Sequence, residues 1–194
     1  MTKPRTSKPK RRTTKRPLVV VFVGEKLAGK EVASRYLMER YDFAFYHFSR
    51  ILSDMLARLH LPITRVNHMQ LAGSLRERFG GGVLAETIVK QMQEARESRV
   101  VIDGLRHPAE FDVLSKLPGF TLVYLTAPLQ LRYARAKKRQ EKEGEGWFSL
   151  ADFKREEKLV TEVFISKLGK RAKVRLVNDK SLPDLYRQIE EQII

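Results

Sequence analysis

The chain has 194 residues, a formal net charge of +15 and no cysteine, which excludes disulfides, cysteine-zinc sites and thiol catalysis. Hydrophobic residues make up 42% of the sequence, enough for one sizeable core, so global disorder is excluded. The longest apolar run, Leu18–Val23, is too short to span a bilayer, and no apolar stretch follows the basic N-terminus as a signal peptide requires. The composition therefore predicts a soluble, cytoplasmic protein with no membrane contact.

The first 17 residues form a basic segment. They contain eight Lys and Arg residues and no acidic residue, so more than half of the net charge of +15 lies here. Three prolines, and no large apolar residue after Met1, leave nothing to pack into a core, which predicts a disordered arm. Two interpretations stay open: a contact with a polyanion (RNA, the ribosome or acidic lipid), or a solubilising tail without a dedicated partner.

Strand and helix patterns alternate along the rest of the chain. Short apolar, β-branched or aromatic runs predict buried strands at 18–23, 43–48, 99–103, 120–125 and 174–178. Amphipathic stretches predict helices at 31–41, 50–59, 66–79, 83–98, 130–141, 150–168 and 182–194, with a short helix from 108. This alternation predicts an α/β protein whose parallel sheet is covered on both faces, with no repeat and no second domain.

A glycine-rich loop, residues 24–31, follows the first predicted strand and precedes the first predicted helix. Its G-x4-G-K spacing in that context is the core of a Walker A loop. Gly24 and Gly29 let backbone N–H groups surround phosphate oxygens, and the start of the helix adds its partial positive charge. Lys30 then reaches the β- and γ-phosphates. The candidate nucleotide-binding loop is completed by Glu25, Lys26, Leu27 and Ala28.

Glu31 occupies the position after the lysine, where Ser or Thr usually binds Mg²⁺. A carboxylate is also a hard oxygen ligand, so it can hold the ion directly or through water. Its negative charge also lies close to the expected triphosphate. The sequence leaves two alternatives open: an adjusted metal geometry or weakened nucleotide binding.

The third predicted strand ends in the acidic Asp103, followed by Gly104, Leu105 and Arg106. In P-loop proteins an acidic residue at the end of an apolar strand organises the metal. Because parallel strands carry ligands at their carboxyl ends, we expect Asp103 and Lys30 to share one crevice. Arg106 is suited to phosphate binding, since a guanidinium grips two oxygens at once.

Three arginines lie on one face of the helix predicted at 130–141. Arg132, Arg135 and Arg139 follow i, i+3, i+7 spacing. From this helix alone a solvated basic face is the simpler interpretation. Its position after the fourth strand, ahead of a polar loop, favours arginines that fold over a transferring phosphoryl group.

Together these stretches resemble the nucleoside monophosphate kinase branch of the P-loop kinases, which also includes the dephospho-CoA kinases. The resemblance covers residues 18–194 and extends to small kinase-like ATPases of archaea and uncultivated bacteria and to phage-type deoxynucleoside monophosphate kinases. The matching stretches are the loop at 24–31, the start of an acceptor-binding helix at 48–52, a segment at 71–85 close to LG..LR..YG.GVLA, the DG..R signature at 103–106, and the R-x3-R pair Arg135 and Arg139.

The resemblance implies a three-layer P-loop fold with a five-stranded sheet in the order 2-3-1-4-5. It also implies a helical acceptor-binding region at 50–98 and a short lid at 140–150. The activity implied is ATP-dependent transfer of the γ-phosphoryl group, with Mg²⁺, to a nucleotide-like acceptor, in first place a (deoxy)nucleoside monophosphate. The residue roles implied are Lys30 on the β- and γ-phosphates, Glu31 and Asp103 on Mg²⁺, Ser49, Arg50, Arg76 and Arg106 on the acceptor, Arg135 and Arg139 over the reacting phosphates, and Asn178 near the adenine.

The acceptor helix departs from the family pattern. Ser53 stands where many of these kinases have an arginine, and Arg50 stands where they have an aspartate. Either Arg50 supplies the clamp from one turn earlier or the acceptor differs. Dephospho-CoA kinase and an RNA- or ribosome-associated P-loop NTPase without a small acceptor are therefore kept as alternatives. The four histidines form no ligand-like cluster and are expected to be packing or surface residues; the chain is expected to be a monomer or homodimer.

Overall fold

A computed structural model describes residues 17–143, 149–156 and 160–194. The arm predicted at 1–17, apart from Pro17, lies outside these residues, as does the centre of the lid predicted at 140–150. Within the described part, no helix has both the length and the apolar character needed to cross a bilayer.

Five parallel strands form one sheet in the order β2-β3-β1-β4-β5. The strands are β1 (Leu18–Val23), β2 (Ala44–His47), β3 (Arg99–Asp103), β4 (Phe120–Thr126) and β5 (Val174–Val177). The central β1 pairs with β3 and β4, with Val20 aligned to Val101 and to Thr121. The predicted fold class and strand order are confirmed.

Helices connect consecutive strands. They are α1 (Lys30–Tyr41), α2 (Phe48–Arg58), α3 (Arg65–Phe79), α4 (Val83–Glu94), α5 (Pro108–Leu114), α6 (Leu129–Glu143), α7 (Leu150–Glu156), α8 (Val160–Arg171) and α9 (Leu182–Ile193). The helix predicted at 150–168 corresponds to α7 and α8, and residues 157–159 between them lie outside the described part of the chain.

The helix predicted to continue to residue 98 ends earlier, at Glu94. Arg96 takes a left-handed backbone conformation with φ +54, and Glu97 N donates to the carbonyl of Met92. That backward hydrogen bond closes the helix end in the manner of a Schellman motif. The helix periodicity of the sequence continues through 95–98 and does not reveal this termination.

Two apolar clusters cover the two faces of the sheet, because alternate β1 residues face opposite ways. Val19, Val21 and Val23 pack with side chains of α2–α5 and α8. Val20 and Phe22 pack with side chains of α1 and α9. The continuous apolar sequence of β1 follows from this burial on both faces. All five strand ends therefore point to one carboxyl edge, where the loops after β1, β2, β3 and β5 meet.

Candidate active site

The loop between β1 and α1 has a backbone that only glycine tolerates at two positions. Gly24 has φ +147, and a Cβ there would lie 1.9 Å from the carbonyl oxygen of Leu125. Gly29 has φ +109, and a Cβ there would lie 2.3 Å from Nδ2 of Asn178. Gly24 is therefore required by the close approach of the Leu125 backbone and by its dihedral angles, and Gly29 by its dihedral angles and by the contact with the Asn178 side chain. The loop curls at the carboxyl edge of β1, next to β4 and the residue that follows β5.

The amine of Lys30 lies across this loop. Its Nζ donates hydrogen bonds to the carbonyl of Gly24 at 2.9 Å and to the carbonyl of Glu25 at 3.0 Å. Lys30 is the first residue of α1, and Gly29 precedes it in a left-handed conformation without a side-chain cap. The N-terminal amides of α1 and the ammonium group therefore converge on the loop, an arrangement that favours an anion.

Two side chains hold the loop from the β4–β5 side. Asn178, which is buried, donates from Nδ2 to the carbonyl of Ala28 at 2.8 Å. Arg135 donates from Nη1 to the carbonyl of Leu27 at 3.0 Å and from Nη2 to the carbonyl of Asn178 at 3.2 Å. Burial lowers the pKa of Arg135, although an arginine stays charged at neutral pH. Both residues thus fix the loop backbone, and their predicted roles over the phosphates and near the adenine stay predictions.

Glu25 turns away from solvent toward β4. The hydroxyl of Tyr124 donates to Oε1 of Glu25, and Oε2 is buried without a hydrogen-bond partner among the described residues. Burial, followed by the hydrogen bond to Glu25, raises the pKa of Tyr124 to about 12. The guanidinium of Arg175 lies 4.7 Å from the centre of the Tyr124 ring. Glu25 therefore helps to shape the loop, while the neighbouring Lys26 is exposed.

The two predicted magnesium ligands lie in different surroundings. Asp103 is 7% exposed, and its Oδ1 accepts a hydrogen bond from the Gly104 N–H at 2.7 Å. Glu31 is exposed and forms an ion pair with Arg35 at 3.0 Å, one turn along α1. Among the described residues, no group of three or more acidic or histidine side chains is arranged to hold a metal ion. The two carboxylates of Asp103 and Glu31 fit Mg²⁺, which usually takes one or two carboxylates together with phosphates and water.

His47 is a site residue that the sequence interpretation missed. It ends β2, aligned with Asp103 of β3, and its Nδ1 caps α2 by accepting from the Ser49 N–H at 3.1 Å. Ser49 Oγ lies 2.7 Å from the same nitrogen. A Cβ on Gly104 would lie 3.0 Å from the ring, so the imidazole covers the turn after β3. Its position near the end of the strand predicted at 43–48 was the available signal.

The charges around His47 identify the residues that share the carboxyl edge. Burial lowers the pKa of His47; Asp103 opposes this shift, and Arg106 and Lys30 add to it. Asp103 and Lys30 therefore lie within electrostatic range of one imidazole, together with Arg106. This agrees with the expectation that the ends of β1 and β3 form one crevice.

Arg76 is engaged in a partly buried ion pair. Its Nε and Nη2 donate to Oε1 of Glu110 at 3.1 and 2.7 Å, and Glu110 is fully buried. The other carboxylate oxygen of Glu110 accepts from the backbone N–H groups of Arg106 and His107. Arg76 thus holds the turn that carries Arg106, and its predicted contact with an acceptor stays a prediction. Glu110 gave no signal in the sequence beyond its place in the first turn of α5.

Two of the remaining predicted residues, Arg50 and Arg139, are exposed, and Arg132 is buried. Arg50 is exposed in the first turn of α2, beside the cap formed by His47 and Ser49. Arg139 is exposed on α6. Arg132, on the same helix, is buried, and its Nε donates to the carbonyl of Ala127 at 2.8 Å. Of the three arginines predicted on one face of α6, Arg132 and Arg135 are bound to backbone carbonyls.

The five-stranded parallel sheet with this loop at its carboxyl edge is a P-loop fold, and solved structures share it. TT1252 from Thermus thermophilus matches with a TM-score of 0.61 and 17% identity, covering 91% of this chain and 96% of that one. Shikimate kinase from Acinetobacter baumannii, in complex with shikimate, matches with a TM-score of 0.54 and 16% identity over 91% and 92% of the two chains. Shikimate kinase from Bacteroides thetaiotaomicron matches with a TM-score of 0.53 and 14% identity, covering 90% of this chain and 95% of that one.

Sequence relatives carry the name UPF0200, which states no activity. The UPF0200 protein of Methanosarcina mazei is 32% identical over 123 residues, covering 62% of this chain and 65% of that protein. The UPF0200/UPF0201 protein of Archaeoglobus fulgidus is 30% identical over 126 residues, covering 63% of this chain and 39% of that protein. The matched region thus spans less than two thirds of these relatives' own length. No protein-family model matches the chain.

Proposed function

We propose that this protein is an ATP-dependent phosphotransferase that moves the γ-phosphoryl group onto a small, anionic, nucleotide-like acceptor. The observation that carries the proposal is the loop at the end of β1. Its glycines leave no room for a Cβ, and Lys30 lies across it at hydrogen-bond distance from two loop carbonyls. Asp103 and Arg106 lie at the same edge of the sheet.

The loop fits a nucleoside triphosphate through its backbone. With Gly24 and Gly29 free of Cβ atoms, its amides and those of α1 can approach phosphate oxygens closely. Lys30 then exchanges the carbonyls of Gly24 and Glu25 for the β- and γ-phosphates. Because Arg135 and Asn178 already hold the loop backbone, little reorganisation is needed when the triphosphate binds.

Asp103 is the residue that we expect to hold Mg²⁺ together with the phosphates. It is a buried carboxylate with one oxygen on the Gly104 N–H. Glu31 contributes as a second carboxylate once its surface pair with Arg35 separates, a pair of small energetic value because both side chains are exposed. The ion would neutralise negative charge on the transferring phosphoryl group.

The acceptor side is basic and polar. Arg50 and Ser49 lie at the start of α2, and Arg106 lies on the turn after β3. We assign the acceptor's anionic group to Arg106 and Arg50, because guanidinium groups bind phosphate oxygens in pairs. Arg76 supports Arg106 through Glu110, and Arg139 is the arginine of α6 that we expect near the reacting phosphates.

An acceptor panel tests the proposal directly. Purified protein with ATP and Mg²⁺ is incubated with dCMP, dTMP, AMP, dephospho-CoA or shikimate, and ADP formation is followed. We expect one of the nucleoside monophosphates to stimulate turnover most. Stimulation by dephospho-CoA alone would instead assign a dephospho-CoA kinase. ATP hydrolysis that no acceptor stimulates would favour an RNA- or ribosome-associated NTPase.

Lys30→Ala is the decisive variant. It removes the ammonium from the phosphates and should lower kcat at least about 100-fold, in line with the loss of one preorganised electrostatic contact. Lys90→Ala, an exposed lysine on α4, is the matched control and should behave like the wild type. Phosphoryl transfer retained in Lys30→Ala, with its fold verified by circular dichroism, would contradict the proposed role of the loop.

A further inference from the structure

The imidazole of His47 is held at the carboxyl edge by two contacts that fix its orientation. Its Nδ1 accepts from the Ser49 N–H at 3.1 Å, and the Ser49 hydroxyl lies 2.7 Å from the same nitrogen. A Cβ on Gly104 would lie 3.0 Å from Cε1 of the ring and 3.3 Å from each ring nitrogen. The edge of the imidazole that carries both nitrogens therefore lies over the turn after β3, and the ring cannot turn without losing the hydrogen bond at Nδ1.

The hydrogen bond from Ser49 also decides which ring nitrogen carries the proton. A backbone N–H can only donate, so Nδ1 must present a lone pair to it, and in the neutral imidazole the proton is then on Nε2. Burial lowers the pKa of His47, so the neutral ring predominates at pH 7. His47 therefore presents Nε2–H as an uncharged hydrogen-bond donor of fixed direction.

This Nε2–H donor has no hydrogen-bond partner among the described residues. Within that part of the chain, the hydrogen bonds of His47 are those at Nδ1. Nε2 lacks a partner without being a buried atom, so a ligand in the crevice can reach it. Asp103, aligned with His47 across β2 and β3, accepts instead from the Gly104 N–H, and Glu31 pairs with Arg35. The donor is thus left for a group that the chain does not supply from its described residues.

The charged side chains that act on this imidazole are those of the candidate active site. Besides burial, the pKa of His47 responds to the charges of Asp103, Arg106, Lys30 and Glu31. These four residues lie at the end of β3, on the turn after it and at the start of α1, while His47 itself ends β2 directly before α2. The imidazole therefore lies where the phosphate loop, the turn after β3 and the start of α2 meet.

Capping of α2 does not by itself account for a histidine at this position. Ser, Thr, Asp and Asn are the preferred N-cap residues, and each would offer an acceptor to the Ser49 N–H without the burial of an imidazole. The ring atoms beyond Nδ1 add nothing to the cap. The feature that distinguishes histidine from these residues is the donor at Nε2, and it is the part of the ring that is open to a ligand.

We propose that His47 is an acceptor-binding residue, which donates from Nε2–H to a phosphate oxygen of the acceptor that Arg106 holds. The inference rests on the proposed function and names a further residue of its acceptor site. A phosphate monoester presents three oxygens, so a guanidinium can bind two of them while the imidazole binds the third. Arg106 supplies the charge, and the neutral imidazole supplies direction, because its ring is fixed by Ser49 and Gly104. The contact transfers no proton.

Nitrogen-15 NMR of the full-length protein, labelled in its histidines, tests this contact without requiring turnover. In the absence of ligand, His47 should show a protonated Nε2 and an unprotonated Nδ1, and its signals are identified by their loss in His47→Asn. At least one of dCMP, dTMP and AMP should shift the Nε2 signal, whereas the matching nucleoside, which lacks the phosphate, should not. The exposed His60, which follows α2, gives the control signal. No shift with any monophosphate, or an equal shift with the nucleoside, would overturn the proposal.

Two variants of His47 separate acceptor binding from helix capping. Asparagine carries its side-chain oxygen on Cγ, as histidine carries Nδ1, so His47→Asn keeps the cap and loses the donor. Glutamine places its amide nitrogen one atom further out, as Nε2 is, so His47→Gln keeps the donor and weakens the cap. By calorimetry, the dissociation constant of the monophosphate should rise about 10-fold or more in His47→Asn, as expected for one lost hydrogen bond to a charged group, and much less in His47→Gln. Wild-type affinity in His47→Asn, or equal weakening in the control His60→Asn, would contradict the proposal.

ATP binding, measured on the same preparations, separates this inference from the proposed function. If ATP binds but no monophosphate shifts the Nε2 signal, the role of His47 fails while the role of the phosphate loop stands. If a monophosphate shifts the Nε2 signal but Lys30→Ala binds ATP as the wild type does, the role of the loop fails while the contact at His47 stands.

Discussion

The two sides of the candidate active site are built in different ways. On the phosphate side, Lys30, Arg135 and Asn178 together donate to four consecutive or near-consecutive loop carbonyls, those of Gly24, Glu25, Leu27 and Ala28. On the acceptor side, α3 buries Ala72 alone among its residues, and Val66 and Met69 remain more than 60% exposed. The loop after β1 is thus held by several side-chain hydrogen bonds, whereas α3, in the region proposed to bind the acceptor, is held by few buried contacts.

The largest effect is expected when a side chain is added to the glycine-rich loop after β1. Gly24→Ala places a Cβ 1.9 Å from the carbonyl oxygen of Leu125 at a φ of +147, so β1 and β4 must separate. We expect a loss of about 3 kcal/mol or more in the free energy of unfolding, measured by urea denaturation, and loss of ATP binding. Gly73→Ala is the control on α3: its Cβ meets nothing within 4 Å, and it should stabilise the protein by about 0.5 to 1 kcal/mol. If Gly24→Ala and Gly73→Ala changed the free energy of unfolding similarly, the difference between the loop and α3 would be refuted.

A smaller effect is expected from the main anchor of the acceptor half. Arg76→Ala leaves the fully buried Glu110 with its two backbone donors only, which should cost about 3 kcal/mol. Because the turn that carries Arg106 loosens, KM for the acceptor should rise while KM for ATP stays unchanged. Arg78→Ala, exposed on the same helix, should lie within about 0.5 kcal/mol of the wild type.

The double variant Arg76→Ala/Glu110→Gln sharpens this test. Glutamine keeps an oxygen for the N–H groups of Arg106 and His107 but removes the buried charge. We expect it to recover part of the stability lost in Arg76→Ala, a coupling that a thermodynamic double-mutant cycle measures. Strictly additive losses would show that the ion pair does not act as one unit.

The smallest expected effect is on the pH dependence of stability, through His47 at the end of β2. Burial lowers the pKa of His47, so below its ordinary value of about 6.5 the unfolded chain binds a proton that the folded protein resists. Stability from this group is therefore complete above about pH 6.5 and is lost as the pH falls. His47→Asn retains an N-cap acceptor for α2 and should flatten the loss of stability between pH 7 and 5, measured by denaturation at each pH.

The control for the histidine is His60→Asn. His60 is exposed with φ +54, a conformation that asparagine tolerates. This variant should follow the pH dependence of the wild type. If it flattened the profile as much as His47→Asn, the titration would not belong to the His47 imidazole.

Sequence patterns were sufficient for the sheet and the phosphate loop because both are local. β1 is read from six consecutive apolar residues, and its loop from glycines at fixed spacing; both coincide with the structure. The order of the strands came from resemblance, and it is confirmed. A buried strand and a glycine-rich loop each depend on residues within a short stretch of chain, so both can be predicted from a single sequence.

The contacts of individual arginines and of His47 were harder to predict because they involve residues distant in the chain. Arg135 was assigned to the phosphates from its helix face, yet its hydrogen bond to the carbonyl of Leu27 joins residues 108 positions apart. Arg76 was assigned to the acceptor, yet its partner Glu110 lies 34 positions away. His47 was set aside because the four histidines form no ligand-like cluster, although Asp103 lies next to it on an adjacent strand.

The hydrogen bond from Asn178 to the carbonyl of Ala28 joins residues 150 positions apart. During synthesis the glycine-rich loop emerges early, while the side chain that supports it from β5 emerges long afterwards. Two supports of the loop, Arg135 and Asn178, thus come from the second half of the chain. A fragment that ends before β5 lacks the support from Asn178, so under the proposed function we expect it to bind ATP more weakly than the full chain does.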